Sequence, residues 1–249
     1  MSDTLVIQSH REPLPYSWIE ACLSSVKSWA DLNNYHYEYI GDELFDYIPQ
    51  KLLSKTQNQI VIATDLARLK LLQSKLAKQY KVVIWCDADF LIFSPEKFHL
   101  PESSYSLGRE VWIQIDAKNS NKLVSKTKVH NAFMMFRNTN NFLDFYSETA
   151  ERLLNLNSGS IPPQFIGPKL LSAIHNIAYC HVLETAGMIS PVVIKDIAND
   201  GGAALKLFQS KSIKKIAAAN LCSSLYKRGE VSENEIEQCI QKISKCIAS

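Results

Sequence analysis

Two carboxylates, Asp87 and Asp89, interrupt the apolar stretch VVIWCDADFLIF (Val82–Phe93). The β-branched run ahead of them reads as a buried strand. In layered α/β folds, ligands sit beyond the carboxyl ends of the strands. Like charges this close raise each other's pKa, so the pair calls for a cation between them. Mg2+ and Mn2+ favour carboxylate, carbonyl and water oxygens. Such an ion binds a diphosphate and stabilises its charge on departure. The expected chemistry is a metal-dependent transfer from a nucleotide-linked substrate. Two other readings stand beside it: a solvated acidic loop, and an aspartyl phosphotransfer site. Phe90, Leu91 and Ile92 supply no hydroxyl for the second of these.

Other side chains of the right type surround the pair in sequence. Asp65 and Arg68 are three apart in a helical pattern and share one face. They are either a solvated ion pair or a site pair in a first helical turn, where the helix end favours a carboxylate. Arg68 offers directed donors to phosphate or sugar hydroxyls. Ser9, His10 and Arg11 follow the first strand, at the edge where a nucleotide binds. Asn131 precedes the apolar AFMMF and needs a partner if buried. Trp29 and Trp85 lie in apolar periodic runs and read as core or supporting residues. Gly167–Pro168 reads as a rigid turn.

The elements that position these residues alternate. Thr4–Ser9 reads as a strand, Tyr16–Leu32 as a helix and Tyr35–Ile40 as a strand. Asp42–Pro49 reads as a loop or short helical turn. Thr64 is expected to cap a helix from Asp65 to Lys78, and Val82–Cys86 follows as a strand. Tyr105–Leu107, Val111–Ile115 and Ala132–Phe136 are short strand candidates. Helices are expected over Asn141–Leu154 and Pro168–Ile177, with edge strands at Val182–Leu183 and Val192–Ile194. Ser232 and Glu235 form a capping-box pattern ahead of a helix to Ile247. The alternation predicts an α/β fold with a central, mostly parallel mixed sheet flanked by helices. The simplest parse is a domain over 1–205 and a helical appendage over 206–249.

Composition narrows the class. In 249 residues, 46% are apolar and 21% charged, with a net charge of +2, which is ordinary for a folded domain. No Lys/Arg tract interleaved with aromatics marks a nucleic-acid surface. No run reaches the length of a spanning helix, and no secretory leader is evident. Six cysteines without CxxC spacing argue for a reducing compartment and against structural zinc. The expectation is a cytoplasmic protein. Lys206, Lys211, Lys214, Lys215, Lys227 and Arg228 accumulate without an acid between them. They form either a solvated face or a peripheral attachment to an anionic membrane, with Ile213, Ile216 and Leu221 on the apolar side.

TDLARLKLL (Thr64–Leu72), WCDADFLIF (Trp85–Phe93) and HNAFMMFR (His130–Arg137) stand in the order found in glycosyltransferases of the GT-A fold with a DXD motif. SWADLNNYHYEYIGDELFDYI (Ser28–Ile48) resembles the early part of that family, and the resemblance spans Leu5–Pro168. It is nearest to the glycosyltransferase 32 group, with its yeast-type initiating mannosyltransferases and bacterial capsule and lipopolysaccharide sugar transferases. Glucosylating toxins resemble it too.

The resemblance implies a nucleoside-diphosphate sugar donor, Mn2+ (or Mg2+), and retention of configuration. Asp89 would bind the metal, and Asp87 the ribose and the metal's water shell. Asp65 and Arg68 would grip the donor sugar, and Asn131 would face the acceptor side. A UDP-sugar is the first expectation and GDP-mannose the second, with a saccharide, lipid-linked or protein acceptor. Two departures stand out. YKVVIW (Tyr80–Trp85) replaces the usual Gly-Gly-x-Tyr, and the late His-containing metal motif has no match. His181 and Asn199–Asp200 are the candidates for that third ligand. A nucleotidyltransferase and a catalytically inactive nucleotide-sugar binding module remain as alternatives.

Overall fold

The computed structural model describes residues 3–226 and 228–248. Its first half alternates as expected. β1 (Thr4–Ser9), α1 (Ser17–Leu32) and β2 (His36–Ile40) precede α2 (Gln50–Lys55), α3 (Ile60–Lys78) and β3 (Val82–Cys86). β4 (Phe90–Ile92) follows the two aspartates. β5 (Tyr105–Asp116) and β6 (Asn119–Arg137) form a long hairpin. The rest comprises α4 (Phe142–Leu156), α5 (Pro168–Ala178), β7 (Val182–Leu183), β8 (Ala186–Met188), α6 (Pro191–Ala198), α7 (Ala203–Lys211), β9 (Ala218–Asn220), α8 (Ser223–Tyr226) and α9 (Glu233–Ile243).

The main sheet has the order β2-β1-β3-β6-β5-β7. Its strands share one direction except β6, which is antiparallel to both neighbours. The sheet is therefore mixed and mostly parallel, with helices on its faces. Side chains alternate across it. Val83, Trp85, Leu107 and Met134 pack toward α3 and α4. Val82, Ile84, Cys86, Phe133 and Met135 pack toward α1 and the β4–β9–β8 sheet.

Several expectations need correction. α3 begins at Ile60, not Asp65, and Thr64 bonds back to the Ile60 carbonyl at 2.9 Å instead of capping. Ile62 and Ala63 are buried and extend the apolar stripe backward. Asp65 and Arg68 thus lie in the second and third turns, beyond the reach of the helix-end field. Val192–Ile194 belongs to α6, with Pro191 at its first position and Val193, Ile194 and Ile197 buried at helical spacing. A short apolar run does not separate strand from helix, and Pro at the first helical position decides it.

The C-terminal segment is not an appendage. β9 is the middle strand of the three-stranded sheet. Ile216, Leu221, Val231, Ile236, Cys239, Ile243 and Ile247 share a core with Trp18, Ala88 and Leu91. The capping box at Ser232 and Glu235 is present as expected. With Ile216 and Leu221 buried, only Ile213 of the supposed membrane face is exposed. Lys227 lies outside the described residues. Among the described residues, no helix is long and apolar enough to cross a membrane.

Candidate active site at the carboxyl rim

β1, β3 and the turn after β3 converge at one rim. Gln8, buried at the end of β1, donates to the Asp87 carbonyl at 3.1 Å, and Tyr37 donates to Gln8 at 3.0 Å. The Asp87 amide donates to the Ala132 carbonyl at 2.8 Å. β5 and β6 shift register here, from Leu107 opposite Met134 to Gly108 opposite His130. This bulge re-aims Asn131 toward α3.

A buried polar network results. Arg68 donates to Asp65, to the Asp87 carboxylate at 2.9 Å and to the Asn131 carbonyl at 3.1 Å. Asn131 donates its amide to Asp65 at 2.9 Å, and Trp85 donates its indole N–H to Asp87 at 2.6 Å. The guanidinium also lies 5.6 Å from the Trp85 ring centroid. The structure brings Asp65, Arg68, Asp87 and Asn131 together in one cluster. Exposure divides it. The Asp65 and Arg68 side chains are 1% and 6% exposed, whereas Asp87 is 31% exposed. Asp65 and Arg68 stand behind Asp87 and present little surface to a ligand.

Asp89 is held separately. Asn220, the last residue of β9, donates to Asp89 Oδ1 at 2.6 Å. The Ser223 amide donates to Asp89 Oδ2 at 2.7 Å, and the Leu221 amide to the Asp89 carbonyl at 2.9 Å. Asn220 Oδ1 is used by the Cys222 amide at 2.8 Å. Sequence reading missed Asn220. Its one signal was a lone amide closing the apolar IAAAN run, level with Phe90 in the β4–β9 register. Gln8 gave the same kind of signal, an amide in LVIQS.

The charges do not balance. The Arg68 guanidinium pairs with two carboxylates, Asp65 and Asp87, while Asp89 is held by Asn220 and the Ser223 amide, so three carboxylates share the rim with one guanidinium. Burial pushes the Asp87 carboxyl above the ordinary range. Arg68 opposes this, Asp89 adds to it, and the bonds from Trp85 and Arg68 pull it down. Asp87 and Asp89 are hard oxygen donors with half-exposed positions. They fit a Mg2+- or Mn2+-type ion completed by phosphate and water oxygens. Among the described residues, no group of three His, Cys, Asp or Glu could hold a metal by itself.

The remaining candidates disperse. His181 precedes β7, with its ring 5.1 Å from that of Tyr105 and its carbonyl bonded to Leu107. Register places it level with Ile84, three strands from β3, so it does not complete a set with Asp89. Asn199 ends α6 and Asp200 pairs with Lys242 at 2.7 Å. Ser9 and His10 do end β1 at the rim, where His10 bonds the Arg11 carbonyl at 2.8 Å. A cavity of ≈ 580 Å³ lies beside Tyr16, Lys195, Tyr226 and Glu230 and does not include Asp87 or Asp89.

The mixed, mostly parallel sheet flanked by helices is the GT-A type of fold. It is shared with a crystal structure described as a glycosyltransferase involved in glycosylation of the major capsid of PBCV-1. That chain is 11% identical, with a TM-score of 0.50 over 96% of this chain and 99% of that one. A galactosyltransferase, LgtC, in complex with donor and acceptor sugar analogues, is 12% identical over 88% and 87% of the two chains, with a TM-score of 0.40. The sequence matches no protein-family model and no curated protein.

Proposed function

We propose that the protein transfers a sugar from a nucleoside-diphosphate donor to an acceptor hydroxyl, with a divalent cation at Asp87 and Asp89. The observation that carries this reading is the net negative charge of the rim cluster, in which Asp87 and Asp89 are partly exposed. A bare diphosphate is repelled by it and a metal-bound diphosphate is not. Asp87 and Asp89 would hold the ion. When bound, the ion supplies electrophilic stabilisation of the departing diphosphate.

The chain's own residues have defined roles. Arg68 and Trp85 fix the Asp87 carboxylate in one orientation, and Asp65 and Asn131 fix Arg68 in turn. Asn220 and Ser223 orient Asp89. Ser9 and His10 border the nucleotide side. In the retaining form of the reaction, the bond from the anomeric carbon to the phosphate oxygen breaks. The acceptor oxygen then bonds on the same face, and its proton passes to the departing phosphate oxygen. UDP-sugars are the first donors to test and GDP-mannose the second.

Nucleotide-sugar binding without turnover is a second reading. Each Asp89 oxygen already accepts one protein hydrogen bond, and Asn220 Oδ1 accepts from the Cys222 amide. Purified protein incubated with a panel of UDP- and GDP-sugars and Mn2+ separates the two. Release of free nucleotide, lost in Asp87→Asn, supports transfer. Protection against thermal unfolding without release supports a binding module.

A further inference from the structure

From Arg109 onward, β5 pairs with β6 alone, and the hairpin rises beyond the end of β3. Residues directly opposite in an antiparallel pair share a face. Glu110 with Lys128, Trp112 with Lys126, and Gln114 with Val124 therefore form one face. Val111 and Ile113 form the other and are buried with Val193, Ile197, Leu205 and Phe208. Lys126 and Lys128 on the first face are exposed. Glu110 and Trp112 are half-buried. Both take part in the β5–β6 ladder, and among the described residues neither side chain has a hydrogen bond, salt bridge or ring partner.

This face borders the rim. Cys222 is joined through its amide to Asn220, and its neighbour Ser223 to Asp89. Burial pushes the Cys222 thiol far up, and Asp89, Glu110 and Asp87 push it in the same direction. The Gly108–His130 pair lies on the same face, His130 lies 3.3 Å from the Ala186 carbonyl of β8, and Met188 of β8 pairs with Asn220, the donor to Asp89. Burial pushes the Glu110 carboxyl above the ordinary carboxylate range, and Lys128 and Lys126 oppose that push.

We propose that the Glu110–Trp112 face binds the acceptor, and that the acceptor is a saccharide. A half-exposed indole gives a pyranose ring a flat apolar platform. An ionised carboxylate only accepts hydrogen bonds and suits a hydroxyl vicinal to the reacting one. A lipid chain has no use for Glu110, and an extended peptide does not require an indole platform beside an unpaired acid. The inference rests on the transfer reading above, because it assigns the second substrate of that site.

The test is saturation-transfer NMR with methyl glucosides, galactosides and mannosides, both anomers. The proteins are wild type, Trp112→Ala and the isosteric Glu110→Gln. Calorimetric binding of UDP with Mn2+ is measured on the same samples. The inference expects at least one glycoside to bind wild type, and both variants to lose tenfold or more of that affinity with UDP binding unchanged. Equal glycoside binding in wild type and Glu110→Gln overturns it, as does no binding of any of these glycosides to wild type. Absence of UDP binding in wild type counts against the donor reading instead and does not enter the glycoside comparison.

Discussion

Asn220 donates its side-chain amide to Asp89 at 2.6 Å, across 131 residues of sequence. The contact ties the end of β9 to the turn between β3 and β4. It explains how the C-terminal segment, which reads as an appendage, reaches the candidate site. Asn220 is buried and also accepts from the Cys222 amide. Asn220→Ala should cost about 1–3 kcal/mol, since a part-buried donor is left unpaired. A urea midpoint equal to wild type would show that the contact carries no stability.

Arg68 is not a surface ion-pair partner. Removing it leaves Asp65 and Asp87 facing each other without a cation. Breaking a buried pair typically costs about 3–5 kcal/mol, far more than an exposed pair. Arg68→Ala should therefore unfold at much lower urea, and its loss of activity should track its loss of fold. A fully stable Arg68→Ala would contradict the burial of the network.

His130 is sealed in the hairpin. It accepts from the Ala132 amide at Nδ1, so Nε2 carries the proton toward the Ala186 carbonyl at 3.3 Å. Burial lowers its pKa from 6.5 to about 4. A depressed histidine pKa means that the unfolded chain takes up the proton first. Its contribution is fully present above pH 6.5 and is lost as pH falls toward 4, with a span of about 3 kcal/mol. Urea midpoints at pH 7.5 and 4.5 should fall less in His130→Asn, which keeps an acceptor for Ala132. Identical pH slopes would remove His130 from the acid response.

Gly167 lies against the network. A Cβ there would sit 2.4 Å from Asp65 Oδ2 and 3.0 Å from the Asn131 amide nitrogen. A shift of Asp65 would strain the bonds that Arg68 and Asn131 both make to its Oδ1. Gly167→Ala should destabilise by about 1–3 kcal/mol and lower nucleotide release from a UDP-sugar. The readouts are the melting temperature and the release assay. A neutral Gly167→Ala would place Asp65 elsewhere.

Local signals carried the first half of the chain. β1, β3, α1 and the Asp87–Asp89 turn follow from apolar periodicity, which is dictated by burial on one or two faces. The Asp65–Arg68–Asn131 cluster was legible as residue types, but its depth was not. Whether a helix begins at Ile60 or Asp65 depends on burial of Ile62 and Ala63 by the rest of the fold. The second sheet was illegible because β4, β8 and β9 are three residues each, too short for a period. Asn220 could not be paired with Asp89 from sequence, because only that sheet brings them together.

The central claim is a cation-dependent diphosphate site at Asp87 and Asp89. Its most direct test is calorimetric titration of UDP and of GDP into the full chain with Mn2+, repeated after chelation, for wild type and Asp87→Asn. The account predicts binding of at least one nucleotide with Mn2+, at least tenfold weaker binding after chelation, and loss of that metal dependence in Asp87→Asn. Equal affinity with and without the cation, or no binding of either nucleotide, would contradict it.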